Sequence, residues 1–505
     1  MDGLNLINKG KNIDVMLLCE GTFPYVKGGV STWIYQLITG IPEINFGAVF
    51  LGASQADYGG LQYEMPDNLV YLSSHFLFND LAGESSRKNL FRKESRTLKK
   101  IDKKKFEYIE YFHDWFKSGR KDGMPEKLKE LDFYLQFIYR NFFLYSKDSW
   151  EYMEGEYLEY FADSSFTDYF WTVRNVHWPI WKIAGIASTL PSHRITHSPS
   201  TGYAGFLGGI LKFSKKTPFI LTEHGIYIRE RRIDILKSDM LYLKDAEHIK
   251  EIWINFFEGI GKFCYQSADK VISLFGDARK FQLSLGAPAE KTMIMPNGVD
   301  TLSLSPLISR RARIPCVVAL IGRIVPIKDI KMFIKSIKLS LDLMPDIEGW
   351  IIGPEDEDPD YVRECKDLAL LLGIEKKCLF LGFKNIRDVL PQVGLLTLTS
   401  LSEGMPLVVL EGFAAGLPSV CTDVGACRQL IYGGLDKEDE AIGKAGEIVS
   451  SATPKALSEN YVEFLKNEKK WTSAQKAGVE RVNKYYSMEK FLGGYREVYS
   501  SYVHF

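Results

Sequence analysis

Short apolar runs that end in a glycine or a polar residue, each followed by helical periodicity, recur along most of this chain and leave few folds open. The first is IDVMLLC at 13–19. It runs into Glu20-Gly21-Thr22-Phe23-Pro24, and Gly28-Gly29 then start an amphipathic pattern that reaches Leu37. Runs at 218–222, 271–275, 316–321, 348–352, 379–383, 395–399 and 420–423 repeat the theme. Strands alternating with helices imply crossover connections, and hence parallel sheets of an α/β fold. In such sheets ligands bind outside the carboxyl ends of the strands. Gly28 and Gly29 fall at such an end, where the missing Cβ lets backbone approach a diphosphate or an acceptor.

A chain of 505 residues is too long for one core and suits two domains of roughly 200 to 300 residues. The rhythm places the first at 1–305 and the second at 306–485, with the polar stretch 301–313 as linker and 486–505 as a terminal helix. From 78 to 190 the alternation stops. This segment is highly charged, then densely aromatic, with helical periodicity at 106–112 and 131–138, so it reads as a helical insertion in the first domain. Between 87 and 105, ten of nineteen residues are Lys or Arg. Such a run either solvates a helix face or docks on an acidic partner or anionic lipid. The aromatics from Phe142 to Trp181 suit a core, an acceptor platform or a partner surface, and core is the first reading.

Basic and acidic residues balance, 63 against 64, which gives no reason to expect nucleic acid as a partner. Seven cysteines form no Cys-x-x-Cys pair and mostly sit in apolar runs, as expected for free thiols in a reducing compartment. The first residues lack a basic region followed by an apolar one, and no run approaches the length of a membrane span. The expectation is a soluble, cytoplasmic protein.

The chemistry concentrates in SEGMPLVVLEG at 402–412, where Glu403 and Glu411 stand eight residues apart. A strand at 395–399 precedes it and a buried helix begins at Pro406, so Gly404, Met405, Pro406 and Leu407 form the turn into a helix N-terminus. Unpaired N–H groups and the positive end of the helix dipole suit a phosphate there. One carboxylate can face a sugar and the other a ribose. Two histidines, His197 and His224, lie near the ends of successive strands and point to one crevice, although His197 reads equally well as a satisfied core residue.

Glu-x7-Glu followed by AAGLPSVCTDVG at 414–425 resembles the signature of the retaining nucleotide-sugar glycosyltransferases of family 4. Gly28-Gly29, Asn297-Gly298-Val299-Asp300 and Gly322-Arg323 with Lys328-Asp329 match in the expected order. The resemblance implies the GT-B fold: α/β, two facing Rossmann-like domains, with a last helix returning to the first domain. It implies a UDP-sugar donor, UDP-glucose or UDP-N-acetylhexosamine, and a polysaccharide acceptor. Arg323 and Lys328 would hold the diphosphate and replace a metal, so no cofactor and no magnesium are expected. Glu411 would bind the ribose hydroxyls and Glu403 the sugar, while His224 would contact the donor's 6-hydroxyl and the developing positive charge. His197 and Asn297 would line the substrate site, and the nucleobase would lie near Phe383-Lys384 and Gly353-Pro354.

Within the family, GTFPYVKGGVSTW, LTEHGIYIRER and TDVGACRQL with the aromatic insertion are similar to the transferases of Pel exopolysaccharide synthesis, a biofilm matrix polymer. That likeness implies work beside an inner-membrane polysaccharide synthesis complex, with the insertion as docking element. Glycogen-synthase-like and other hexosyltransferases share the same motifs. A UDP-sugar epimerase and a non-catalytic scaffold that binds nucleotide sugar are the readings from other classes.

Overall fold

The computed structural model describes residues 4–78, 146–237, 246–450 and 453–503, together with 107, 110, 111, 114, 115 and 126–129. The cationic run at 87–105 and the helical pattern at 131–138 lie outside the described residues, as does most of 106–112. Two compact units emerge: residues 1–272, 281–293 and 496–505 make the first, residues 273–280 and 294–495 the second. Among the described residues no helix is long and apolar enough to cross a membrane.

The first unit is built on a sheet of β1 (Leu4–Asn8), β2 (Ile13–Glu20), β3 (Phe46–Gly52), β4 (Leu69–Phe76), β5 (His193–Ser198), β6 (Phe219–Glu223), β7 (Lys270–Ser273) and β8 (Thr292–Ile294). Their spatial order is β1-β4-β3-β2-β5-β6-β7-β8. β1 pairs antiparallel with β4, whereas β2, β3, β4, β5 and β6 pair in parallel, with Leu17 opposite Ala48 on one side and His197 on the other. All of β2 except Glu20 is buried, which is why its sequence reads as a continuous apolar run: helices cover both faces of a parallel sheet.

Helix α1 (Gly29–Gly40) buries Trp33, Ile34, Leu37 and Ile38, a stripe at helical spacing. Each buried side chain of this size contributes about 1.5–3 kcal/mol. The aromatic segment forms α2 (Lys147–Tyr160) and α3 (Phe166–Thr189), capped by Ser146 and Ser165, whose side chains accept from Ser149 and Asp168 N–H groups. Trp178 and Trp181 join the main core with Trp115, while Trp150 and Trp171 stay exposed, so the core reading holds for the inward face alone. Helices α4 (Tyr203–Ser214), α5 (Tyr227–Lys237) and α6 (Ala246–Ser267) complete the part of this unit that matters below.

The second unit holds β9 (Val317–Ile321), β10 (Glu348–Ile352), β11 (Cys378–Gly382), β12 (Leu395–Leu398), β13 (Ser419–Thr422) and β14 (Gly446–Val449) in the order β11-β10-β9-β12-β13-β14, with every pairing parallel. That is the doubly wound order in which the chain reverses direction between its first and fourth strands, here β9 and β12. Helix α7 (Ile330–Leu343) follows β9, α8 (Leu407–Ala414) follows β12, and α9 (Met488–Ser500) is the last helix among the described residues.

Two sequence expectations shift. The second unit begins at 294 rather than 306, because Met295 N–H bonds to Ser273 and Val299 pairs with the segment before α9, through Val299 N–H to Tyr486 and Met488 N–H to Val299. The polar stretch 301–313 is not a free linker. Leu304 and Leu307 are buried, and the Arg311 guanidinium donates to the carbonyls of Leu390 (2.8 Å), Val393 (3.1 Å) and Gly416 (3.3 Å), which docks the stretch on the second unit.

Candidate active site

The loops after β9 and β12 meet at the strand reversal of the second unit. Thr399 Oγ1 donates to the carbonyls of Lys328 (2.8 Å) and Asp329 (3.1 Å), and Leu401 N–H donates to Ile327 (2.8 Å). Asp329 has a left-handed backbone and caps α7 by accepting from Met332 N–H. The chain therefore turns sharply at Lys328, and the ammonium pairs with the Glu403 carboxylate. Ser400 Oγ holds the same carboxylate at 2.6 Å. Lys328 and Glu403 side chains keep 22% and 13% of their exposure, enough to be reached by a ligand yet sheltered from full screening.

Glu403-Gly404 is clamped from behind by the Asp423-Val424-Gly425 turn. Ala426 N–H donates to the Gly404 carbonyl at 2.8 Å. Gly425 has φ +53°, and a Cβ on it would stand 2.2 Å from that same oxygen, so both its conformation and its packing demand glycine. The turn then enters α8 through Met405, which is buried, and Pro406, its N-cap; the first N–H groups of a helix have no intrahelical acceptor. Glu411 lies on α8 with no side-chain hydrogen bond to the described residues, and burial pushes its carboxyl up from the usual range. An acceptor that is half-sunk and unpartnered suits hydroxyl donors.

Arg323 does not join Lys328. It is exposed and pairs with Glu357 at 2.6 Å. An exposed pair of this kind is worth about 0–1 kcal/mol, so a diphosphate could displace Glu357 at little cost. Phe383 follows β11 with 80% of its surface exposed, an open aromatic face. Asn297 is buried with its Oδ1 unpartnered and lies in the second unit, on the segment that pairs ahead of α9.

The remaining sequence candidates belong to the first unit. An added Cβ at Gly28 or Gly29 would meet nothing within 4 Å, so no protein neighbour requires glycine at either position. His197 sits in the core: it is fully buried, one ring nitrogen bonds Tyr499 Oη and the other Thr222 Oγ1, each at 2.8 Å. His224 differs. Its ring sits edge-on to Trp33 at 4.6 Å and its Nε2 is buried without a hydrogen-bond partner. Burial pushes both histidines down to about 3, so both are neutral. Sequence reasoning missed Ser400 as the support of Glu403, and passed over Glu20, although a carboxylate that ends an apolar run and precedes glycine was a usable signal.

Residues 13–290 match the family described as Domain of unknown function (DUF3492), and residues 315–467 match the one described as Glycosyl transferases group 1. The first match covers more than half of the chain. The chain belongs to the DUF3492 family and is a glycosyltransferase of the group 1 type. This transferase is 26% identical over 256 residues to the lipopolysaccharide core biosynthesis mannosyltransferase LpsB of Rhizobium meliloti (strain 1021), across 48% of this chain and 68% of that one. It is 26% identical over 258 residues to the UDP-Gal:alpha-D-GlcNAc-diphosphoundecaprenol alpha-1,3-galactosyltransferase of Escherichia coli, across 48% of this chain and 60% of that one. Its fold is that of HepE from Anabaena, solved with UDP (TM-score 0.59, 12% identity, 97% of this chain and 100% of that one). Sucrose-phosphate synthase of Thermosynechococcus elongatus shares it as well (TM-score 0.57, 13% identity, 97% and 98%). The two Rossmann-like domains are thus those of a GT-B transferase.

Proposed function

We propose that the transferase moves a hexosyl unit from a UDP-sugar, UDP-glucose or UDP-N-acetylhexosamine, to a growing polysaccharide with retention of configuration. The observation that carries this reading is the Lys328–Glu403 pair at the strand reversal of the second unit, beside the start of α8 and on the same helix-bearing loop as Glu411. As the donor's C1–O bond breaks, charge grows on the departing diphosphate, and a fixed ammonium with N–H dipoles stabilises it more than it stabilises the ground state. Lys328 and Arg323 supply that charge in place of a metal, so no cofactor takes part.

Glu411 accepts from the ribose hydroxyls, Phe383 stacks on the base, and Glu403 holds a sugar hydroxyl while orienting Lys328. The acceptor oxygen forms its bond to C1 on the face the diphosphate leaves, and its proton passes to a departing phosphate oxygen. The donor named for the Escherichia coli relative and the UDP bound by HepE support uridine. The segments similar to Pel-type transferases support an exopolysaccharide product made in the cytoplasm beside an inner-membrane complex, with 87–105 as docking element.

The test is thermal unfolding with a panel of UDP-sugars, UDP and ADP-glucose. A ligand at a hundred times its dissociation constant adds about 2.7 kcal/mol of stability. UDP and one UDP-hexose should protect and ADP-glucose should not; protection by ADP-glucose alone would overturn the uridine reading.

A further inference from the structure

Helices α2, α3 and α6 of the first unit carry matching faces. Tyr152 and Glu156 on α2, Tyr169 and Val173 on α3, and Ile252 and Phe256 on α6 are pairs at the i, i+4 spacing that puts side chains one above the other on a helix. The three faces enclose a cavity of about 300 Å³, at the lower edge of the range for small-molecule sites. None of its described lining residues belongs to the strand-end loops, so it stands apart from the sheet's ligand crevice.

Aromatic rings form much of the wall. Phe161 packs on Tyr169 with centroids 4.8 Å apart and planes 31° from parallel, the His248 ring meets Phe161 edge-on at 6.1 Å, and Phe256 meets His177 edge-on at 6.0 Å. The charge on the same wall is negative. Glu156 is half-buried, Glu251 is exposed at the mouth, and no Lys or Arg is among the described lining residues. Burial, and then the Glu156 carboxylate, push the Tyr152 and Tyr169 hydroxyls up, so both rings stay neutral. Tyr152 Oη donates to Asp114 at 3.3 Å, and Glu110 is pushed up by burial and by the Asp114, Glu107 and Glu156 carboxylates, which extends the negative field beyond the cavity.

The nearby cations are engaged elsewhere. Lys147 pairs with Glu151 at 2.8 Å, Lys250 donates to the Leu236 carbonyl at 3.0 Å, and Arg174 lies over the Phe170 and Trp171 rings at 5.0 and 5.1 Å. An anion would be repelled from such a wall. An uncharged apolar molecule would strip water from Glu156 and give it nothing in return. A metal ion lacks its ligands, since no three His, Cys, Asp or Glu side chains among the described residues are grouped to hold one. A primary ammonium is strongly hydrated and calls for three acceptors, which rings do not offer. A methylated ammonium fits on both counts: its charge answers the carboxylates, and its methyl groups lie on ring faces that attract cations.

We propose that the cavity between α2, α3 and α6 binds a small organic cation with a methylated nitrogen, its charge facing Glu156 and Glu251 and its methyl groups resting on the Phe161, Tyr152 and Phe256 rings. The proposal does not depend on the donor sugar or on the transfer reaction.

The experiment is calorimetric titration of the full chain, without nucleotide, at about pH 8, above the ordinary range of an imidazole. The probes are choline, its uncharged isostere 3,3-dimethylbutan-1-ol, and ethanolamine. Choline should bind about tenfold or more tighter than either of the others, the margin of a cation held against desolvated rings. Glu156→Gln with Glu251→Gln should weaken choline about tenfold and leave the isostere unchanged, while Phe161→Leu, which keeps apolar bulk and removes a ring face, should weaken choline about threefold or more. The probe comparison on the unsubstituted chain decides the matter even if Phe161→Leu fails to fold. Absence of choline binding, equal affinity for choline and its isostere, tighter binding of ethanolamine, or unchanged choline affinity in the double glutamine variant would each overturn the proposal.

Discussion

The two units place loops at the same topological point and fill them with opposite chemistry. In the second, between β9 and β12, the loops carry an ion pair, an uncapped helix start and an unpartnered carboxyl, the groups that meet a charged leaving group. In the first, between β2 and β5, they carry a carboxyl already held by two donors, a neutral histidine and stacked rings. The difference shows that strand order fixes where a ligand can bind, while side-chain charge and its burial decide what kind.

The largest effect that separates the two sites is expected from Lys328→Ala. Removing one fixed charge from a developing anion costs about a hundredfold to a thousandfold in turnover. Melting should stay near that of the unsubstituted chain, and Arg323→Ala should move turnover in the same direction. A Lys328→Ala enzyme with unimpaired turnover would return the second unit to the status of a plain nucleotide-binding fold.

A second contrast lies inside the first unit, between its two strand-end histidines. His197→Leu removes the hydrogen bonds to the Tyr499 and Thr222 hydroxyls, worth about 0.5–1.5 kcal/mol each, and should lower stability without touching UDP affinity. The pH dependence has a definite sign. With its pKa pushed down to about 3, folded His197 refuses a proton that the unfolded chain accepts near 6.5. Its contribution is therefore present in full above pH 6.5 and lost as pH falls toward 3. Denaturant melts at pH 7 and pH 4 should show the gap between His197→Leu and the unsubstituted chain shrinking at the lower pH; a constant gap would mean that the ring is not held neutral.

The smallest effect is expected from Phe383→Ala. Stacking of a base on one aromatic face is worth about 1 kcal/mol at the low end of its range. UDP affinity should fall by that amount while inorganic diphosphate binds as before. Equal losses for both would move the base elsewhere.

These contrasts also mark what the sequence could and could not disclose. The strands were legible because a parallel strand buried on both faces is mostly apolar, as β2 and β12 are apart from Asp14, Glu20 and Thr397. Glu403 and Glu411 were legible because their spacing is local, set by one turn and one helix. The pairing of Lys328 with Glu403 was not, since it depends on β9 and β12 lying side by side. His197 and His224 look alike in sequence, and Tyr499, 302 residues away, is what consumes one and spares the other. Arg311 hid for the same reason: it reads as linker polarity until the carbonyls it meets at 390, 393 and 416 are brought to it.

The central claim is that side chains of the second unit, and no metal, drive sugar transfer. It is tested most directly by following UDP release from a protecting UDP-hexose, with a neutral oligosaccharide acceptor, in excess EDTA, for the unsubstituted chain and Lys328→Ala. Turnover that persists in EDTA and falls about a hundredfold or more in the variant is the expected result. Turnover that stops on chelation, returns with magnesium or manganese and ignores Lys328 would contradict it.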